Sequence, residues 1–308
     1  MFSILHIVNP YSTDVADAVF SQQVTLETMR VAQNQAAGEL QITLGAVTVH
    51  GDEVVIPDYM KHLGNVSAAR EISSARLPYL QDILNCAKNS GNYDLVIYSN
   101  MDIAVQPYFY LEVQAYYNHG YDAFCVNRRR IVNQYRSVTE LPEMYLNKGL
   151  PHPGLDTFVM TKSVLDRLNV GKVVIGRPYV DMAFLYALIA ASKRFTLIAR
   201  KQLTFHLGME LVKAWGPKND EHHNYSEARQ VISEVFDQLQ IANFPGAGCG
   251  VIKRHFIWLM TPYYHYPSMF RLDRNQIKST RRNAKVYSSD WNSGLERIVR
   301  LILPPDEF

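Results

Sequence analysis

Segments of strand character and segments of helical pattern alternate along the first part of the chain. Residues 4–8, 41–49 and 95–98 are predicted strands, because they are short and rich in β-branched, aromatic or alternating apolar residues. The intervening residues 17–32 and 77–87 have helical patterns. Strands that alternate with helices favour a largely parallel sheet covered by helices. We therefore predict an α/β fold with a Rossmann-like, mostly parallel central sheet.

The same alternation continues after residue 100. Residues 109–118 are predicted to form a helix and residues 123–126 a buried strand. Residues 127–153 contain three consecutive arginines, tyrosines and prolines without a clean period, which is typical of a long functional loop or lid. The later predicted elements are strand 158–160, helix 163–168, helix 181–191 and strands 195–198 and 203–205.

Composition narrows the class of protein. The 308 residues are 47% apolar and 19% charged, which is ordinary for a soluble globular protein. The formal net charge is only +2, so the chain is not a polycation. We therefore expect no nucleic-acid partner. The three cysteines are odd in number and far apart, and the chain begins without a signal-peptide pattern. These features favour a cytoplasmic protein, and the longest apolar run is about half of the roughly 20 residues of a membrane span.

The composition changes near residue 244. Three glycines, a crowd of aromatic residues over 258–266 and a basic segment follow. We therefore predict one domain over residues 1–243 and a mainly helical C-terminal appendage over residues 244–308. Basic residues recur there at helical spacing, and they are Arg271, Arg274, Lys278, Arg281 and Lys285. Two interpretations remain open: peripheral contact with an anionic membrane at its inner face, or a solvated basic helix followed by a helix that docks on the core.

Two polar clusters directly follow predicted strands. Asn100, Met101 and Asp102 come after the strand 95–98, at the carboxyl end where open α/β sheets bind ligands. The alternative is that Asp102 caps a turn. Arg128 and Arg129 follow the strand 123–126 and have guanidinium groups suited to a diphosphate, although runs of arginine are usually a solvated surface.

Two further clusters combine histidine with glycine. His152, Gly154 and Asp156 lie around a predicted turn, where Asp156 can accept hydrogen bonds from sugar hydroxyls or act as a base; a structural turn explains them equally well. His206 ends a predicted strand just before Gly208. Histidines in such places are more often part of a core, but Lys213 and Trp215 add a cation and an aromatic platform nearby.

The order of these clusters resembles a family of bacterial and viral proteins related to the GT-A glycosyltransferases. The resemblance covers residues 4 to 224 and rests on the segments Tyr98-Ser99-Asn100-Met101-Asp102-Ile103, Gly120-Tyr121-Asp122-Ala123-Phe124, Asn127-Arg128-Arg129, His152-Pro153-Gly154-Leu155-Asp156-Thr157-Phe158 and Leu203-Thr204-Phe205-His206-Leu207-Gly208. The chain departs from the family pattern at two places. Asn100 replaces the first acid of the Asp-x-Asp metal signature, so that only Asp102 carries over. Some retaining members have a lysine–tryptophan pair after the metal-binding histidine, whereas here Ala214 separates Lys213 from Trp215.

The resemblance implies a metal-assisted glycosyltransferase of polysaccharide biosynthesis, whose domain 1–243 binds a nucleotide-diphosphate sugar. The sugar would pass to a hydroxyl of a glycan or lipid-linked acceptor. Asp102 and His206 would hold Mn²⁺ or Mg²⁺ with phosphate oxygens and water completing the shell. The diphosphate would meet Asn100, Met101, Arg128, Arg129, Lys213 and Trp215, and the nucleotide would meet Val8, Asn9 and Pro10. The substrate would be bound by His152, Gly154 and Asp156.

The stereochemistry of transfer stays open at this point. An inverting enzyme needs a base on the acceptor, and the candidates are Asp156 and Asp181. We favour Asp156, because Asp181 opens an apolar helix whose cap it could be. Two other classes of function remain: a non-catalytic sugar- or nucleotide-binding protein, and a metal-dependent nucleotidyl or phosphoryl transferase.

Overall fold

A computed structural model describes residues 1–72, 76–199, 201–209, 218–235, 238–239 and 243. These residues belong to one compact unit, Met1–Asn243. The predicted C-terminal appendage, residues 244–308, lies outside the described residues. Within the described part, no helix is both long and apolar enough to span a membrane.

The described residues form nine strands and seven α-helices. The strands are β1 (Phe2–Val8), β2 (Leu40–Val49), β3 (Lys61–Val66), β4 (Leu95–Ser99), β5 (Ala104–Val105), β6 (Ala123–Ile131), β7 (Leu150–Thr161), β8 (Phe195–Ile198) and β9 (Thr204–Leu207). The helices are α1 (Ala16–Gln35), α2 (Leu80–Asn89), α3 (Phe109–Asn118), α4 (Leu141–Leu146), α5 (Lys162–Arg167), α6 (Val180–Ala191) and α7 (Lys218–Val235).

All nine strands join one sheet in the order β3-β2-β1-β4-β7-β6-β9-β5, with β8 paired to β6. Of the eight strand pairings in this part of the chain, five are parallel. Strand β7 is antiparallel to both of its neighbours, β4 and β6. The α/β prediction with a mostly parallel central sheet flanked by helices is therefore confirmed.

Apolar residues place the helices on the two faces of the sheet. Every residue of β4 is buried, as its continuous apolar sequence predicts for a strand covered on both faces. Helix α6 is apolar on nearly all sides, and its Phe184 stacks on Phe158 of β7 at 4.0 Å between ring centroids. The opposite face is covered by α1 and α3, whose Met29 and Tyr110 belong to the same buried cluster as Ile4 of β1.

The prediction of a loop or lid over residues 127–153 is wrong. Strand β6 continues through the arginines to Ile131, because their backbone pairs with β7 on one side and with β9 on the other. A 3₁₀ turn, Val138–Glu140, and α4 follow, and β7 begins already at Leu150. The predicted turn at His152 and Gly154 consequently lies inside β7, opposite register shifts in β6 near Asn127.

Further differences concern unpredicted elements and the start of α2. Strands β3 and β5 and helix α7 were not predicted; the sequence of β3, Lys-His-Leu-Gly-Asn-Val, lacks a clear alternation. Helix α2 begins at Leu80 rather than at residue 77, because Tyr79 forms a bridge with Val174 and the Leu80 amide donates to the carbonyl of Val173 at 2.9 Å.

Candidate active site

Two predicted metal ligands lie side by side. Asp102 occupies the turn that follows β4, and His206 lies in β9. The Oδ2 atom of Asp102 and the Nε2 atom of His206 are 3.2 Å apart. His206 is buried, whereas the Asp102 side chain is 30% exposed. The fold thus joins a rigid imidazole to a carboxylate that a ligand can reach.

The atom types of this pair suit a divalent cation. The 3.2 Å contact is that of an ordinary ion pair, and carboxylate oxygens and imidazole nitrogens are both ligands of divalent cations. Among the described residues, no group of three or more His, Cys, Asp or Glu side chains is arranged to hold a metal. An ion here would take its other ligands from phosphate oxygens and water.

Asp156 links three strands beside this pair. Its carboxylate forms an ion pair with Arg128 of β6 and accepts a hydrogen bond at 2.9 Å from Nδ2 of Asn100, which directly follows β4. The backbone N–H of Asn100 donates to the backbone carbonyl of Asp156 at 3.0 Å. Tyr98 donates its hydroxyl to Oδ1 of Asn100 at 3.3 Å. Residues from β4, β6 and β7 and from the turn after β4 therefore form one hydrogen-bonded network.

The charges of this network act on one another. Burial raises the pKa of Asp156, the Arg128 guanidinium opposes that rise, the Asp102 carboxylate adds to it and His206 opposes it. Burial also raises the pKa of Tyr98, and the carboxylates of Asp102 and Asp156 raise it further. The Asp102–His206 pair and the Asp156–Arg128 pair hence belong to one electrostatic site.

Gly154 allows close packing next to Asp156. Its amide donates to Nδ1 of His152 at 2.8 Å. A Cβ atom at residue 154 would lie 2.7 Å from the His152 ring and 3.4 Å from Oδ2 of Asp156. Asn127 donates its amide to the carbonyls of His152 and Gly154 at 3.1 and 3.3 Å. The three predicted substrate-binding residues thus lie together, in a kinked part of β7.

Arg129 has a different place from the one predicted. Its guanidinium is buried and donates to the carbonyls of Asn147, Gln202 and Tyr145 at 2.9, 2.7 and 3.1 Å. It also lies 5.2 Å from the centre of the Phe205 ring. Burial lowers its pKa. The diphosphate role predicted for Arg129 is therefore corrected: the side chain binds backbone carbonyls, because successive residues of a strand point to opposite faces.

The other predicted site residues lie at the end of β1, at the start of α6 and outside the described residues. Val8 and Asn9 are buried at the end of β1, where Asn9 donates to the Val47 carbonyl at 2.6 Å, and Pro10 follows them. Asp181 lies in the first turn of α6, where its Oδ1 accepts from the Met182 amide at 3.0 Å. Lys213 and Trp215 lie outside the described residues.

Sequence inspection missed Tyr98 and Tyr11 as members of the site. Burial and the Asp102 carboxylate raise the pKa of Tyr11, which places its hydroxyl within the field of Asp102. The available signal was position, since Tyr11 follows the strand-end residues Val8–Pro10 and Tyr98 precedes Asn100.

No protein-family model matches the chain, and no curated protein sequence matches it significantly. Solved structures do. S. aureus TarS, residues 1–349, is 12% identical over 85% of this chain and 74% of its own, with a TM-score of 0.45. The same protein in complex with UDP-GlcNAc gives a TM-score of 0.46 at 12% identity, over 85% and 75% of the two chains.

A second similar structure is glucosyl-3-phosphoglycerate synthase from Mycobacterium tuberculosis in complex with Mn²⁺, UDP and phosphoglyceric acid. It is 11% identical over 77% of this chain and 78% of its own, with a TM-score of 0.40. Both proteins were solved with a uridine diphosphate compound bound, UDP-GlcNAc in the first and UDP in the second. At this level of similarity we derive the function from the side chains of the site.

Proposed function

We propose that the protein is a glycosyltransferase that moves a sugar from a nucleotide diphosphate to an acceptor hydroxyl. One observation carries the proposal: the Asp102–His206 pair and the Asp156–Arg128 pair belong to one electrostatic site, built from the turn after β4 and from β6, β7 and β9. A cation-binding pair next to an arginine matches the needs of a leaving diphosphate. Charge that develops there is stabilised by fixed positive groups more strongly than in water.

Asp102 and His206 would hold Mn²⁺ or Mg²⁺. When bound, such an ion would neutralise the diphosphate and favour its departure. Arg128 would add a second cation on the protein side, and Asp156 and Asn100 fix its position. Val8, Asn9 and Pro10 would line the nucleotide end, while His152 and Gly154 would adjoin the sugar.

The contacts of Asp156 favour Asp181 as the base. One oxygen of Asp156 accepts from Asn100 and the other contacts Arg128, so an acceptor hydroxyl would have to displace a partner that this carboxylate already has. Asp181 begins the helix whose Phe184 stacks on Phe158. Phe158 and Asp156 are two residues apart in β7. We therefore propose that Asp156 positions Arg128 and that Asp181 deprotonates the acceptor.

Base catalysis by Asp181 belongs to an inverting reaction. The anomeric configuration of the product, measured by NMR at early times, tests this assignment. Retention of configuration would contradict a role of Asp181 as the acceptor base.

The metal assignment is tested by calorimetry of nucleoside diphosphates with and without Mn²⁺. Asp102→Asn and His206→Ala should each remove most of the Mn²⁺-dependent affinity. The double variant should lose little more, because either change already disrupts the same site. His119→Gln, an exposed histidine near the end of α3, is the matched control and should bind as the wild type does. Unchanged Mn²⁺-dependent affinity in Asp102→Asn would reject the assignment.

The reaction class is tested by the released product. Incubation with a panel of sugar nucleotides should release nucleoside diphosphate. Release of pyrophosphate would indicate a nucleotidyl transferase, and binding without turnover would indicate a non-catalytic binding protein. A thermal-shift screen with Mn²⁺ selects the donor for this assay, which separates the three classes of function.

A further inference from the structure

Helix α6 begins after a residue in an unusual conformation. Tyr179, which directly precedes Val180 and Asp181, has φ 71° and ψ −3°. A non-glycine residue adopts this left-handed conformation only when its surroundings enforce it, and such residues cluster at functional sites. The entry into α6 is therefore held by contacts outside the helix itself.

Helix α7 supplies contacts of the required kind. Asn224 is fully buried, and its Oδ1 accepts from the Val174 amide at 2.8 Å. Its Nδ2 donates to the carbonyls of Val174 and Pro178 at 2.8 and 3.0 Å. One side chain thus binds both ends of residues 174–178, the segment that leads into Tyr179.

A buried ion pair and an aromatic contact add to this clamp. Asp220 of α7 is 1% exposed and accepts from Nε of Arg177 at 2.6 Å. The ring of Tyr225 meets the Tyr179 ring edge-on at 5.5 Å between centroids. Helix α7 therefore contacts the side chains of Arg177 and Tyr179, three residues and one residue before α6 begins at Val180.

The other side of the segment is fixed as well. Val174 bridges Tyr79, and the Ile175 amide donates to the Pro78 carbonyl at 3.2 Å. Residues 174–178 consequently lie between the start of α2 and α7. Contacts from two elements over-determine the backbone there, which is the condition under which a strained residue persists.

We infer that Asn224 and Asp220 are positioning residues for the acceptor base. They hold residues 174–178 and keep Tyr179 in its left-handed conformation. In this way they set the direction in which the Asp181 side chain points from the first turn of α6. The inference rests on the proposed role of Asp181. The contacts given above for Asn224 and Asp220 are made to residues 174–178, so we expect donor binding to change less than kcat.

Asn224→Asp is the sharpest variant, since the carboxylate keeps the size and the acceptor but loses the two amide donor bonds. Asp220→Asn keeps size and removes the charge that faces Arg177. We expect each variant to lower kcat by about 10-fold or more, because a displacement near 1 Å can slow catalysis up to about 100-fold. The Kd for nucleoside diphosphate with Mn²⁺ should stay within about twofold of the wild-type value. Glu234→Gln, exposed near the end of α7, is the control and should not change kcat.

A double-variant cycle distinguishes positioning from a general loss of folded protein. In an Asp181→Asn background, Asn224→Asp should lower kcat little further, since the group it positions is already absent. A fall by the same factor in both backgrounds, or an unchanged kcat in both single variants, would overturn the inference. Failure of the proposed function shows separately: the wild type would release no nucleoside diphosphate, or Asp181→Asn alone would leave kcat unchanged.

Discussion

The imidazole of His6 is completely buried in the middle of the sheet. Its Nδ1 lies 2.9 Å from the Tyr110 hydroxyl and its Nε2 lies 2.8 Å from the Ser99 hydroxyl. Burial lowers its pKa from 6.5 to about 3. Because Ser99 is the last residue of β4 and directly precedes Asn100, this neutral hydrogen-bonded histidine fixes the strand end on which the site is built.

The lowered pKa of His6 predicts a pH dependence of stability. The unfolded chain binds more protons than the folded one between pH 6.5 and about 3, so the contribution of His6 is complete above pH 6.5 and is lost as the pH falls. The slope is up to about 1.4 kcal/mol per pH unit. Urea unfolding should be measured at pH 7 and at pH 5. The free energy of unfolding should fall less between these two pH values in His6→Gln than in the wild type. His119→Gln, on the surface, should keep the wild-type dependence; an equal slope in His6→Gln would contradict the prediction.

At the scale of elements, β6 gives adjacent arginines separate roles. Arg128 pairs with Asp156 at the site, whereas Arg129 donates to carbonyls at the end of α4 and before β9. Helix carbonyls at a C-terminal end lack intrahelical donors, and a buried guanidinium can satisfy several of them at once. One arginine therefore serves the proposed chemistry and its neighbour holds α4 to the sheet.

Lysine replacements separate these roles. In Arg129→Lys a single ammonium replaces a planar fork, so we expect a loss of about 2 kcal/mol in the free energy of unfolding and an unchanged donor Kd. In Arg128→Lys the charge opposite Asp156 remains, while bidentate binding of a diphosphate is lost; the donor Kd should rise about 10-fold. Chemical denaturation and calorimetry on both variants check this. A weakened donor affinity in Arg129→Lys alone would reverse the assignment.

The elements that the sequence predicted well are those with strong local patterns. Strands β1 and β4 and helices α1, α3 and α6 follow from apolar runs and helical spacing. The extension of β6 to Ile131 and the start of β7 at Leu150 did not, because charged residues there are buried by partners that are distant in the chain. The Asp102–His206 pairing could be predicted, because both residues lie near the ends of predicted strands. The face of the sheet to which the Arg129 side chain points could not, because it is set by partners that are distant in the chain.

At the scale of the whole molecule, the sheet gathers the site from distant parts of the sequence. Antiparallel β7 lies between β4 and β6, and its kink at Gly154 carries Asp156 to Asn100 and Arg128. Strand β9 then adds His206 from the far side of β6. The site thus depends on the full order of the sheet, and neither the residues after β4 nor those in β9 form it alone.

The basic C-terminal sequence predicts where the whole protein would meet its acceptor. We propose that residues 271–285 bind an anionic membrane that carries a lipid-linked saccharide, since lysine and arginine near such a surface contribute about 1 kcal/mol each. The full chain should sediment with vesicles of anionic lipid at low salt and be released as salt rises. Replacement of Arg274, Lys278 and Arg281 by glutamine should weaken this sedimentation, whereas replacement of Lys193 and Arg194, exposed before β8, should not. Equal recovery with neutral and anionic vesicles would favour the other interpretation, a solvated basic helix.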